Sequence, residues 1–157
     1  MSSLQQENFR QALRPEGERR LSHRIFLYWL LACGDRPFAN RGDIDPGELD
    51  EDWDWCFILN VRRSTDFPYF EHLGKNLAKF SGVLLSGRGD WSATVLDKAT
   101  EKFDELQKHK APIMIEDSLT LYDGRKLLFR SIMLPLSNDQ HNVEHVLGAA
   151  NGKIAAD

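Results

Sequence analysis

The sequence predicts an α+β fold: one antiparallel sheet, helices on one of its faces, and an additional helix at the N-terminus. Three observations carry this prediction. First, two strand–turn–strand patterns flank a helical middle. Second, the late strand Lys126–Leu136 is apolar at both alternating sets of positions, Leu128, Ile132 and Leu134 on one side, Phe129 and Met133 on the other. A sheet built on such a strand needs cover on both faces. Third, the run Phe26–Cys33 is apolar nearly all round and supplies a spare covering element, for its own sheet or for a neighbouring chain.

The elements follow in order. Residues 1–20 are polar, with Pro15-Glu16-Gly17 as an interruption. Leu21, Ile25, Tyr28, Trp29 and Ala32 then share one face of a helix that Gly34 stops. Because this helix precedes the strands, half of its surface is expected to pack on a partner chain. In the acidic connector, Asp45 reads as an N-cap, Pro46 as the first helical residue and Glu48 as the back-reaching member of a capping box. Seven acidic residues fall from Asp43 to Asp54. A calcium loop needs oxygen ligands at alternate positions, a central glycine and a closing glutamate. Pro46 and Leu49 break that order, so the segment reads as a solvated cap.

Trp53–Val61 reads as a strand, 62–67 as a turn and 68–74 as a second strand. Short helical pieces follow, broken by Gly82, Gly87 and Gly89. Residues 92–112 form an amphipathic helix with Leu96, Ala99, Phe103 and Leu106 on one face, ended by Pro112. Three strands close the chain: 113–122, then 126–136 after an Asp123-Gly124 turn, then 143–152. The divisions are a helical extension over 1–34 suited to dimerisation, a connector over 35–52, a core over 53–152 and a tail over 153–157.

Composition narrows the function. The chain has 157 residues, enough for a core without covalent staples. With 20 basic and 24 acidic side chains it carries a net charge of -4, which argues against a nucleic-acid or membrane-surface partner. Cys33 and Cys56 sit in apolar runs and read as reduced, buried thiols. The N-terminus has no apolar signal core, and the longest apolar run, nine residues, falls far short of the ~20 that a bilayer requires. A cytoplasmic protein is expected.

Three segments carry a family resemblance: RIFLYWLLACGDRPFANRGDIDP, FPYFEHLGKNLAKFSG and RSIMLPLSNDQHNVEHVLGAANG. In motif, order and spacing they resemble a family of bacterial single-domain PAS proteins, covering most of Leu21 to Gly152. DEDWDWCF stands where that family carries a more apolar stretch. The resemblance implies a five-stranded antiparallel sheet, helices on one side and a small cavity between them. It also implies a stand-alone sensory or regulatory module that pairs as a homodimer and docks on signalling proteins not named by the sequence. No catalytic role is expected.

Each candidate site residue also has a structural reading. Arg130 alternates with Leu128, Ile132 and Leu134; it either binds a ligand carboxylate or phosphate from inside the cavity, or pairs with Glu116 or Asp117. Phe80, Trp91, Phe103 and Ile132 are candidate pocket walls or core. Ile25, Tyr28, Trp29, Ala32, Phe129 and Met133 are the expected dimer interface. His109, beside Lys108 and Lys110, reads as a solvated helix end rather than a haem ligand. His141 and His145 span a turn and strand, which is poor metal spacing, and His72 reads as surface or hydrogen-bonded. The stretch AKFSGVLLSGR lacks the cysteine of flavin photosensors. No metal and no cofactor, neither haem nor flavin, is expected. Two alternatives stand beside the sensor: a binding protein for an acidic metabolite or nucleotide anchored by Arg130, and a small isomerase- or cyclase-like enzyme, for which the sequence offers no nucleophile–base constellation.

Overall fold

The computed structural model describes residues 20–61, 69–85 and 94–155. Its centre is a sheet of β1 (Cys56–Asn60), β2 (Tyr69–Leu73), β3 (Ile113–Thr120), β4 (Lys126–Leu136) and β5 (His145–Ile154), ordered β2-β1-β5-β4-β3. All neighbours are antiparallel. Ahead of the sheet come α1 (Leu21–Cys33), α2 (Pro46–Leu49) and a 3-10 helix over Asp50–Trp55. Between β2 and β3 lie α3 (Lys75–Ser81), α4 (Val95–Ala99) and α5 (Phe103–His109).

Strand alternation divides the core into two layers. Cys56, Ile58, Ile132, Leu134, Leu136, Leu147 and Ala149 face α1. Phe57, Leu59, Leu127, Phe129, Met133, Val146 and Ala150 face α3–α5. All five residues of β1 are buried, so this strand has no solvent face at all.

The first layer corrects the expectation for α1. Ile25, Tyr28 and Trp29 do not turn to a partner chain; they are buried on the chain's own sheet, with the half-buried Ala32 packed beside them. Burying such side chains is worth about 1.5–3 kcal/mol each, and the exposed sheet face offers the nearest place to do it. Polar contacts fix the helix in position. Trp29 Nε1 donates to Pro135 O at 2.9 Å. Pro135 lies past the end of the β3 pairing, so its missing N–H costs no bond to β3. Arg24 grips Asp52 with two bonds of 2.8 and 2.9 Å. At the other end Gly34 turns the chain at φ 59°, and Arg36 caps the helix by donating to Ala32 O and Cys33 O.

The sequence boundaries shift in two instructive places. The expected strand from Trp53 begins at Cys56, because three acidic residues in the first turn at Asp50, Glu51 and Asp52 favour a helical start instead. The single long helix expected over 92–112 is two short ones. Thr100, β-branched, bonds back to Leu96 O at 3.1 Å and the helix ends there. Its buried face runs through Val95, Ala99, Phe103 and Leu106, with Val95 in the place expected for Leu96. In the connector, Asp45 caps Gly47 N as expected, but the Asp45 N–H donates to the Tyr28 hydroxyl at 2.9 Å rather than to Glu48. The turn over 62–67 and the glycines at 87 and 89 lie outside the described residues.

Gly148 in β5 makes room for the tip of the Phe57 ring; a Cβ there would run into that ring. Gly148→Ala is therefore expected to destabilise the protein by about 1–3 kcal/mol. Adding Phe57→Leu should recover part of the loss. Urea unfolding of the single and double variants checks this, and full stability in the single variant would contradict it.

Candidate functional site

The layer between the sheet and α3–α5 is lined by apolar side chains: Phe57, Leu77, Phe103, Leu106, Phe129 and Met133, with others around them. The polar residues buried in the described fold are Ser22, Asn60, Ser81, Ser131, Ser137 and His145, none of them a lysine, arginine or carboxylate. Of these, Ser81 and Ser131 lie on the α3–α5 side. Ser81 donates to Ala78 O at 2.9 Å. Ser131 alternates with Phe129 and Met133 on β4, opposite Ile115 of β3 and Ala150 of β5. It is 1% exposed, and its hydroxyl has no hydrogen-bond partner. Lys98 stands at the rim, committed to Glu101 at 2.9 Å and Asp117 at 3.4 Å.

The structure sorts the expected site residues by strand parity. Phe103, Phe129 and Met133 come together in this layer, with Phe80 at its margin in an edge-to-face contact with Trp55. Ile132 lies on the opposite face beneath α1. Arg130 lies on that opposite face too and donates to Glu116 Oε1 at 2.6 Å, with both side chains largely in solvent. It is therefore no anchor inside the α3–α5 layer, and the reading of an acidic-ligand site loses its cation. Phe129 and Met133, expected at a dimer interface, are at 1% exposure inside the α3–α5 layer. The cause is the same in each case: β4 is apolar at both alternations, so sequence gave no sign of which set faces which layer. Trp91 lies outside the described residues.

A polar junction closes the other end of the sheet. β2 carries a bulge against Ile58 and Leu59, which leaves Glu71 opposite no residue of β1. Its carboxylate accepts from Asn60 at 2.6 Å and Arg41 at 3.2 Å, and lies 3.1 Å from His145 Nε2. The hairpin tip 137–142 grips the connector beside it. Gln140, at φ 65°, accepts from Phe38 N and donates to Asn40 Oδ1. Asn138 accepts from Arg41 N, and Ser137 N donates to Ala39 O. Asp139, accepting from the Asn142 and His141 amides, holds the tip closed, and these bonds keep its carboxyl far below the usual range. Lys110 at the end of α5 donates to His141 O. The tip thus ties both helical layers to one loop.

The remaining candidates take structural places. His72 stacks on Trp53 with ring centroids 3.8 Å apart. No three His, Cys, Asp or Glu side chains among the described residues are grouped to hold a metal. Cys33 and Cys56 both belong to the α1 layer, away from α3–α5. Burial pushes the Cys33 thiol up to about 11 and Cys56 higher still. No helix among the described residues is long and apolar enough to cross a membrane.

Partial burial raises the Glu71 pKa, but bonds from Asn60, Arg41 and His145 outweigh it and leave the group below its ordinary value. A carboxyl with a lowered folded pKa contributes stability above the unfolded value, ~4.3, and loses that contribution as pH falls. Glu71→Gln should therefore be clearly less stable than the parent near neutral pH, with the gap narrowing below about pH 4. Urea midpoints at the two pH values measure the gap; a gap independent of pH would rule out this role.

No curated protein matches the chain. Among solved structures, one from a study of a fungal LOV domain photoreceptor shares 13% identity and a TM-score of 0.44, covering 79% of this chain and 88% of its own, too distant to carry any inference. The model of the PAS domain family matches residues 18–151, from just ahead of α1 to within the last strand. The chain belongs to the PAS domain family.

Proposed function

We propose that the protein is a sensory and regulatory module that acts by docking rather than by catalysis. The observation that carries this reading is the shared sheet. The same strands floor the α3–α5 layer and the α1 layer, so a rearrangement on one side reaches the other. The PAS family is mainly a sensory rather than an enzymatic family, and a cytoplasmic setting suits this role.

The docking partner is a second copy of the chain. On the α1 side, α1 covers Ile132, Leu134 and Leu136, whereas Met114 and Leu128 are 42% and 44% exposed, on either side of the Glu116–Arg130 pair. This open half-face is self-complementary. A two-fold axis over it sets each Arg130 against the partner's Glu116, with the apolar side chains flanking. The interface thus moves from the inner face of α1 to the uncovered half of β3 and β4. It also gives Arg130 a role that its orientation permits.

Native mass spectrometry of the full chain tests this. The parent is expected at twice 18.0 kDa. Arg130→Glu and Glu116→Arg should each give monomers that remain folded, since an exposed pair adds only about 0–1 kcal/mol to stability. The double exchange should restore the dimer. A monomeric parent, or dimers in all variants, would refute the interface.

A further inference from the structure

Resting on the docking reading above, we infer that α1 carries a second docking surface on the side turned away from the sheet. Its occupant is an amphipathic helix of another protein, apolar along one stripe and bearing lysine or arginine along one flank.

Three observations combine. The first is an apolar ridge outside the core. Leu27, Leu30 and Leu31 stand three and four apart and so share one face of α1. None of them belongs to the core beneath the helix, which draws on Leu21, Ile25, Tyr28 and Trp29 from the opposite face. Leu30 is 42% exposed. A helix of 13 residues is about 20 Å long, room for roughly four turns of a partner helix. The second is charge. Arg24 bonds to Asp52, and the Tyr28 hydroxyl accepts from Asp45 N, so the connector runs alongside α1 on the flank next to Leu27 and Leu31. Asp45, Glu48, Asp50 and Glu51 are its exposed acids there. Asp43 and Asp52 are held by Arg36 and Arg24, but Asp50 and Glu51 form no ion pair among the described residues. A partner that brings cations complements this flank. A second copy does not, because the one arginine of α1, Arg24, is already bonded to Asp52 and the helix has no lysine. An anionic lipid surface would be repelled. The third is the backbone of Asp50. At φ 53° and ψ -123° it makes the same turn after α2 that Gly34 makes after α1 at φ 59° and ψ -123°. Glycine adopts this conformation freely and aspartate does not. The Asp50 carboxylate makes no hydrogen bond among the described residues that would offset the strain, whereas a contact with a partner's cation gives it a use.

The probe is a labelled synthetic peptide of about 14 residues, with leucine at every third or fourth position and lysine along one flank of that stripe. Two counterparts accompany it: the same peptide with glutamate for lysine, and a scramble of the same composition without an apolar stripe. Fluorescence anisotropy is read with the full chain as parent and with Leu30→Ala, Asp50→Gly, Glu51→Gln and Glu105→Gln. Glu105 is exposed on α5, in the opposite layer, and controls for the loss of one negative charge. The parent should bind the lysine peptide and neither counterpart. Leu30→Ala should bind it about five- to tenfold more weakly, and Asp50→Gly and Glu51→Gln each about two- to fivefold. Glu105→Gln should bind as the parent does. Asp50→Gly should nevertheless melt above the parent, since glycine relieves the turn. Unchanged binding by Leu30→Ala would overturn the site. Equal binding of the scramble, or an equal loss in Glu105→Gln, would do the same, because general attraction of a cation to an acidic protein would then account for the signal. A lower melting temperature of Asp50→Gly would assign its carboxylate to the fold instead. A monomeric Leu30→Ala in native mass spectrometry would make the ridge a contact between copies, and pelleting of the parent with phosphatidylserine vesicles would make it a lipid surface; either rules out a helical protein partner. Arg130→Glu should bind the lysine peptide as the parent does, so failure of the charge-exchange experiment and failure of this one are read separately.

Discussion

Everything in this fold depends on central strands that have no polar face. β1 is buried along its whole length, and β4 is buried from Ser131 to Leu136 on both alternations. Apolar surface on that scale cannot stand in water, so two covers are obligatory. The helices between β2 and β3 supply one. The N-terminal helix supplies the other, and this is why it belongs to the core rather than to an appendage. Its all-round apolar character reflects the depth of its seat: Leu21, Ile25, Tyr28 and Trp29 face the sheet, and Leu30 is the one exposed side chain of the helix.

The two layers differ in chemistry. The margin of the α1 layer carries the polar contacts: the Arg24–Asp52 fork, the Tyr28 hydroxyl buried against the connector, and the Glu71 cluster with Arg41, Asn60 and His145. Burial raises the Tyr28 pKa to about 12, so the phenol stays neutral and keeps its hydrogen bonds over the physiological range. Among the described residues, those buried in the α3–α5 layer are apolar except for Ser81, which is satisfied, and Ser131, which is not. One side is thus latched by geometry-specific bonds and the other held by packing, which is non-directional and easier to rearrange.

The hairpin tip joins the two. Its six polar residues carry no catalytic chemistry, yet they hold the connector through Ser137, Asn138 and Gln140 and the end of α5 through the His141 carbonyl. A loop of this composition reads as solvent-exposed punctuation in sequence. Its partners in the connector lie about a hundred residues away and Lys110 lies 31 away, beyond any local pattern.

Local physics made much of the fold legible. Period-two patterns placed β4 to the residue and the other strands to within a few positions. Asp45 and Pro46 announced a helix start, Asp123-Gly124 a hairpin, and the motifs from Arg24 to Pro46 and Arg130 to Gly152 the PAS family. The site was less legible, and for one reason. Parity assigns residues to alternating sets, but only contact with a second element says which set faces which layer. Phe129 with Met133, and Arg130 with Ile132, were therefore placed on the wrong sides together, as a one-residue flip requires. Ser131, lodged in the run RSIMLPL, gave no local signal, because a serine in a strand is unremarkable until its neighbours are known to leave its hydroxyl alone. The sequence by itself determined the elements and the need for two covers, since both follow from side chains a few residues apart. Only the tertiary structure decided that α1 is the second cover, that Arg130 faces away from the α3–α5 layer and that Ser131 faces into it, because burial and hydrogen bonding are settled between strands and helices distant in the chain.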